Sequence, residues 1–574
     1  MLLPAMKTVN VSTSGVTAFK GYNHNLKINE YEFFDMKNMS STLLPVIASR
    51  GRRGRVRAFT KCNGIFAHEK LCWVDGTDFV YDGITAGQVT DNRKQFVRMG
   101  AYVLIWPDKK YYNVRTKEFG NLEAYYNSTG TVSATISRAD GTIYTGYTTA
   151  ATAPQNPANG DYWLDTSTSP VVLRQYSDST TTWESVASVY VKISAAGIGA
   201  QFAEYDGVTI AGMNDATLNG DFFLVTRDTN WIVVTAIISA PITANTGAIT
   251  VSRTAPDMEY LTECDNRVWG CNSTNNEIYA CAQGDPKNWR QYMALSTDSY
   301  AVTVGSAGPF TGAVTHLGAV LFFKGDVIHQ IMGTMPSNYT VDTTGVRGVA
   351  EGSAASPCVV NEVLYYLAGN DVCAYGQSLP VTISAPLGTG RYRDGVGGKC
   401  GRYYYLCATD EAGARVLLAY DTEAQVWMKE DATDVRWFAA LGQELYFVTG
   451  NTLCSLHGTL DEYGDAEKAT EGPVEWMLET GELGIDAPYN KYITGMQLYA
   501  ETEIGATLRV EIRYDAAGAW EEIFRDTPMW QRSMVIPITT KRCRTLKLRL
   551  SGKGEFKLWS MVRKITAGSD HYAT

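Results

Sequence analysis

From residue 63 onward the chain alternates short polar stretches with pairs of apolar or aromatic runs, each pair split by a turn built from Asp, Asn or Gly. GIFAHEKLCWVDGTDFVYDG at 64–83 and MGAYVLIWPDKKYYNV at 99–114 open the series. NRVWGCNSTNNEIYACA at 266–282, HLGAVLFFKGDVIHQIMG at 316–333 and NEVLYYLAGNDVCAYG at 361–376 continue it. RYYYLCATDEAGARVLLAYDTEAQVW at 402–427 and GQELYFVTGNTLCSLHG at 442–458 end it. Paired runs around DG, GD or GN turns predict β-hairpins. Phe322, Tyr365, Tyr404 and Tyr446 recur at a spacing of about 40 residues, the period of propeller blades. One hairpin pair cannot cover its own apolar face, whereas stacked blades bury each other's. The pattern predicts an all-β chain: a β-propeller of about seven blade-like units over residues 61–123 and 257–469.

Two stretches break the series. Residues 124–256 are rich in Thr, Ser, Ala and Gly and carry strand-like alternation, and they read as one or two β-modules inserted at a loop. Residues 470–574 alternate with period two (LRVEIRYDAAGAWEEIF, RTLKLRLSGKGEFKLWSMVRKI), which predicts an antiparallel β-sandwich. Residues 1–60 read as an irregular arm.

Composition narrows the function classes. Net charge is −10, and an acidic chain is a poor candidate for gripping phosphates, although it suits a surface that DNA slides past. The 11 Cys lie inside strand-like runs and read as buried, reduced thiols of a protein made in a reducing cytoplasm. Cys264, Cys271 and Cys281 lack the C-x2-C spacing of a zinc site. Neither a signal peptide nor an apolar run long enough for a membrane span is read from the chain.

Candidate contact residues form two groups. Arg50, Arg52, Arg53, Arg55 and Arg57 read first as a solvated or docking loop and second as a phosphate contact. Tyr162, Trp163 and Trp183 read first as the small core of the inserted module and second as a glycan contact. The late basic residues, from Lys541 to Lys564, would line one exposed face of the sandwich. No G-x-S-x-G, H-E-x-x-H or phosphate-binding loop occurs. Arg391, Arg393 and Arg402, beside Tyr392 and Asp394, are the one grouping that suggests a propeller glycan hydrolase; a polar loop is the plainer reading. No catalytic residue, metal ligand or cofactor is assigned.

The phrases NR-x-WG (Asn266–Gly270), E-I-Y-A (277–280), GDP-x-NW (284–289) and S-TDSYAV (296–302), with GYN…E…MKNMS…P…R from Gly21 to Arg50, carry a resemblance. The chain resembles tail structural proteins of tailed phages and Gram-positive prophages and, more distantly, the stabilisation or nozzle proteins that close short tails. The resemblance implies a non-enzymatic virion component. It would assemble as a homo-oligomeric ring around the DNA channel, against other tail proteins and with genome DNA passing unread. A peripheral protein contacting the host cell surface or wall glycan is the alternative.

Overall fold

The hairpin pairs of the sequence close into four-stranded antiparallel sheets, because each pair recruits one more strand on either side. In the computed structural model, which describes residues 11–458, 469–485, 489–515, 518–527 and 532–567, seven such blades are present. They span residues 62–88, 95–121, 260–303, 312–344, 358–382, 393–429 and 435–455. The seventh takes its fourth strand, Gly54–Ala58, from the N-terminal segment, with Cys454 opposite Arg55 and Thr452 opposite Ala58, and adds a fifth, Ala469–Thr470, beyond it. The recurrent aromatics fall at one place in their blades: Phe322, Tyr365, Tyr404 and Tyr446 all sit in second strands and are buried. Tyr365 and Tyr404 stack at 5.5 Å between ring centroids, so the period of the sequence is the packing of one blade on the next. The fold is an all-β propeller with additions, and no α-helix occurs among the described residues. No helix there is long and apolar enough to cross a membrane.

The chain divides into two compact units: residues 1–93, 322–328 and 343–574, and residues 94–321 and 329–342. The first holds the sandwich. One of its sheets orders Phe33–Lys37, Glu475–Thr480, Leu546–Lys553, Thr507–Tyr514 and Glu521–Asp526. The other centres on the long strands Lys491–Thr502 and Phe556–Ala567 and also takes Val11–Val16, Met39–Ser40 and Ile47–Ser49. The N-terminal segment, read from the sequence as irregular, is therefore a set of short strands shared between sandwich and seventh blade. Only Met39–Ser40 and Ile47–Ser49 pair locally, with Met39 opposite Ser49; Phe33 pairs with Thr480 and Val11 with Thr566, so no local pattern announces the others. A single apolar cluster runs from Leu367, Leu406 and Leu418 in the blades through Tyr22 and Met36 to Trp476, Leu508 and Leu548 in the sandwich.

The second unit holds the insert. Ala124–Asn127 and Thr250–Arg253 pair side by side, so the module leaves and rejoins the chain through adjacent strands. They belong to a seven-stranded sheet around its own core of Ile136, Ile193, Ile210 and Val251. A second, four-stranded sheet (Thr148–Ala150, Tyr162–Asp165, Val172–Ser177, Thr182–Ser185) is nested between the paired strands Ser133–Ser137 and Tyr190–Ser194. Residues 1–10 lie outside the described residues.

Candidate interaction surfaces

The arginine cluster divides by burial. Arg50 and Arg53 precede the strand Gly54–Ala58, and the turn of the chain there aims both inward, leaving them 6% and 7% exposed. Arg50 grips Glu471 with both terminal nitrogens (2.7 and 2.9 Å) and donates through Nε to Asn38 at 2.8 Å. Arg53 pairs with Glu430, donates to Asp431 at 2.9 Å and to Thr433 at 2.9 Å, and lies over the Phe447 ring. Burial pushes the Asp431 carboxyl up, but Arg53, Thr433 and Arg50 outweigh it and leave the group below its ordinary range. Glu471 balances the same way, burial against the Arg50 hydrogen bond, and also ends low. Two guanidiniums and three carboxylates thus tie the N-terminal segment, the link between the sixth and seventh blades, and the start of the sandwich. Arg52 pairs with Glu503 at 3.0 Å, Arg57 covers Trp73, and Arg55 is exposed.

The aromatic trio of the insert also divides. In the nested sheet Leu164 pairs with Leu173 and Tyr162 with Gln175, and this side faces the insert core. Tyr162 packs there against Tyr144 at 5.0 Å. Trp163 and Trp183 point to the opposite face, 5.5 Å apart, joined by Tyr176 and by the Arg174 guanidinium over the Trp163 ring. Trp163 is 7% exposed, and its indole N–H donates to the Ala150 carbonyl at 2.9 Å. The strand period separates these side chains: neighbours in a strand cannot share a face.

Two of the phrases that carry the resemblance, NR-x-WG and GDP-x-NW, build the joint between insert and third blade. Gly284 adopts φ +79°, Asp285 caps the turn by accepting from the Lys287 N–H at 3.0 Å, and Trp289 returns to the core at 3% exposure. Asn288 donates to the Tyr205 carbonyl at 2.8 Å and accepts from the Gly207 N–H at 3.1 Å. A Cβ at Gly207 would stand 2.7 Å from the Arg290 carbonyl oxygen, so the two loops touch through bare backbone. Arg267 of NR-x-WG lies fully buried and donates to the carbonyls of Cys281, Ser296 and Asp298. It holds the loop 282–299, on which Asn288 and Arg290 stand. No local signal distinguishes a buried Arg from a surface one, and its role was not readable from the residues alone.

The remaining candidates scatter. Arg393 opens the strand Arg393–Cys400 and Arg402 follows it, so strand rise sets them about 25 Å apart. Arg402 is held by Asp421 at 2.9 Å and Glu423 at 3.0 Å. The three arginines do not converge on one substrate position. The late basic residues lie on two sheets: Lys547 and Arg549 face Glu479 from one, Lys557 pairs with Glu501 on the other, and Arg563 is buried against Glu30. All eleven cysteines are free thiols, and burial lifts Cys264 and Cys281 to about 12 each, the state of small apolar side chains.

No protein-family model and no curated protein matches the sequence. Among solved structures the chain is similar to Raptor of Chaetomium thermophilum at 9% identity and TM-score 0.29, over 71% of this chain and 29% of that one. It is similar to BamB of Moraxella catarrhalis at 11% identity and TM-score 0.25, over 63% and 92% of the two chains. It is similar to the endosialidase of phage phi92 at 10% identity and TM-score 0.18, over 80% and 71%. The chain spans under a third of the Raptor structure, and likenesses this distant assign no activity.

Proposed function

We propose that the protein is a structural component of a tailed-phage virion and, more finely, a stabilisation- or nozzle-type tail protein. In this reading it is made in the host bacterial cytoplasm and forms a ring of copies around the DNA channel. It docks other tail proteins, passes the genome without reading it and catalyses no reaction. One observation carries the proposal: several of the residues that resemble phage tail proteins join the modules of this chain. Gly21–Tyr22 meets the sixth blade, where the Tyr22 N–H donates to the Trp427 carbonyl at 2.7 Å and a Cβ at Gly21 would stand 2.3 Å from that oxygen. MKNMS supplies Met36 and Met39 to the core and Asn38 to Arg50. NR-x-WG and GDP-x-NW supply Arg267 and Asn288. A catalytic family would share reacting groups; here the shared residues fix how β-modules are assembled. The net charge of −10 supports passage of DNA without adhesion.

Quantitative mass spectrometry of purified virions, with mass measurement of the purified protein in solution, tests the proposal. A fixed copy number per particle and a closed oligomer are expected. Absence from virions together with a monomer in solution overturns it.

A further inference from the structure

The nested sheet of the insert has two unlike faces. One is aliphatic and belongs to the insert core through Leu164 and Leu173. The other, built from alternate residues of the same strands, carries Trp163, Asp165, Arg174, Tyr176, Trp183 and Ser185 in register: Trp163 opposite Arg174, Arg174 opposite Ser185, Tyr176 opposite Trp183. Aromatic side chains of a small module ordinarily form its core, but this module already has one on the opposite side. The outer rings contact one another edge to face at 5.4–5.5 Å, which holds the half-buried Trp183 and Tyr176 in fixed orientations. In their midst Arg174 is fixed as well: its Nε donates to Asp165 at 2.9 Å, and its far end reaches Ser185 at 3.4 Å. A rigid surface of half-exposed rings beside a partly exposed guanidinium, held in place by the buried Asp165 carboxylate, suits a pyranose. Its C–H face packs on aromatic rings, and its hydroxyls lie at the level of the planar guanidinium donor.

Charge selects among glycans. Residues 124–256 hold ten acidic and five basic residues, and the one guanidinium of this face is neutralised by its own carboxylate. A polyanion would meet net repulsion there, whereas an uncharged sugar chain would not. We infer that the outer face of the nested sheet, centred on Trp183, Tyr176 and Arg174, binds a neutral oligosaccharide. This site does not depend on the tail assignment; it is compatible with a virion protein and with a free one.

The test is isothermal titration of the full-length protein with neutral tetrasaccharides of glucose, N-acetylglucosamine, galactose and rhamnose, and with polygalacturonate as the anionic probe. At least one neutral tetrasaccharide is expected to bind with Kd of about 0.1–1 mM, the range of a shallow platform. Trp183→Ala is expected to weaken it at least about tenfold, and Arg174→Lys, which keeps the charge but loses the planar fork, severalfold. Tyr162→Phe, on the core face, should leave it unchanged. Thermal unfolding of each variant confirms that the fold persists, and Arg174→Lys serves if Trp183→Ala does not fold. The inference is overturned if none of the neutral probes binds, if Trp183→Ala folds and binds like the wild type, or if polygalacturonate binds more tightly than any neutral probe. Virion mass spectrometry is blind to all of these outcomes, so either proposal can fail alone.

Discussion

The sandwich and the insert are both β-modules added to a propeller, and they are attached in opposite ways. The sandwich is woven in: strands from both ends of the sequence share its sheets, an apolar cluster runs from it into the blades, and two buried arginines hold three carboxylates where the segments meet. The insert is plugged in: it hangs from two adjacent strands, keeps its own core and meets the third blade through a polar elbow of Asn288, Gly207 and Tyr205. A woven module can be lost only with the rest of its unit, whereas a plugged-in one can loosen alone.

The largest expected effect strikes the woven joint. Arg53→Ala takes the nearer guanidinium from Glu430 and Asp431, leaving only Arg50 at 4.0 and 3.5 Å, and should cost about 3–5 kcal/mol, read by denaturant unfolding. If the cost proves under about 1 kcal/mol, the joint is not what holds the sandwich. Next comes Arg267→Met, which leaves the carbonyls of residues 281, 296 and 298 unpaired; about 2–3 kcal/mol is expected, with faster hydrogen exchange through the loop 282–299. Asn288→Ala should cost about 1 kcal/mol and act locally, exposing the Gly207 amide to exchange while the sandwich amides stay protected. If sandwich amides exchange faster too, the contrast between the modules fails. Exposed Arg55→Ala should change stability by less than about 0.5 kcal/mol.

Acid separates the two regions by sign. Asp431 and Glu471 titrate below their ordinary values of 3.8 and 4.5, so their contribution is complete above those values and is lost as pH falls through the lower folded ones. Asp285 in the elbow is raised by burial, against the Lys287 N–H, so its folded form favours the proton; its contribution is complete below 3.8 and lost as pH rises through the folded value. Acidification toward pH 4 and below should therefore speed exchange around Arg50 and Arg53, and it should not do so through Asp285 at the elbow. Hydrogen exchange against pH reads both.

The same contrast explains what the sequence made legible. Blades could be read because each is local: hairpin, turn and aromatic anchor fall within about 40 residues, as at Tyr365 and Tyr404. The N-terminal strands could not, since Phe33 finds its partner at Thr480. The arginine cluster was visible as charge, but only the fold shows that Arg50 and Arg53 turn inward while Arg55 does not. Tyr162 and Trp163 looked like one aromatic group; the two-residue period of the strand sets them on opposite faces.

If the module-joining residues build a virion part, as proposed, virions must contain this chain. Cryo-electron microscopy of the virions, beside the purified protein, tests it most directly. Tail density that accepts several copies of this seven-bladed chain as a ring around the channel, with the insert and sandwich against neighbours, is expected. A tail without that density, or a lone copy remote from the channel, would contradict it.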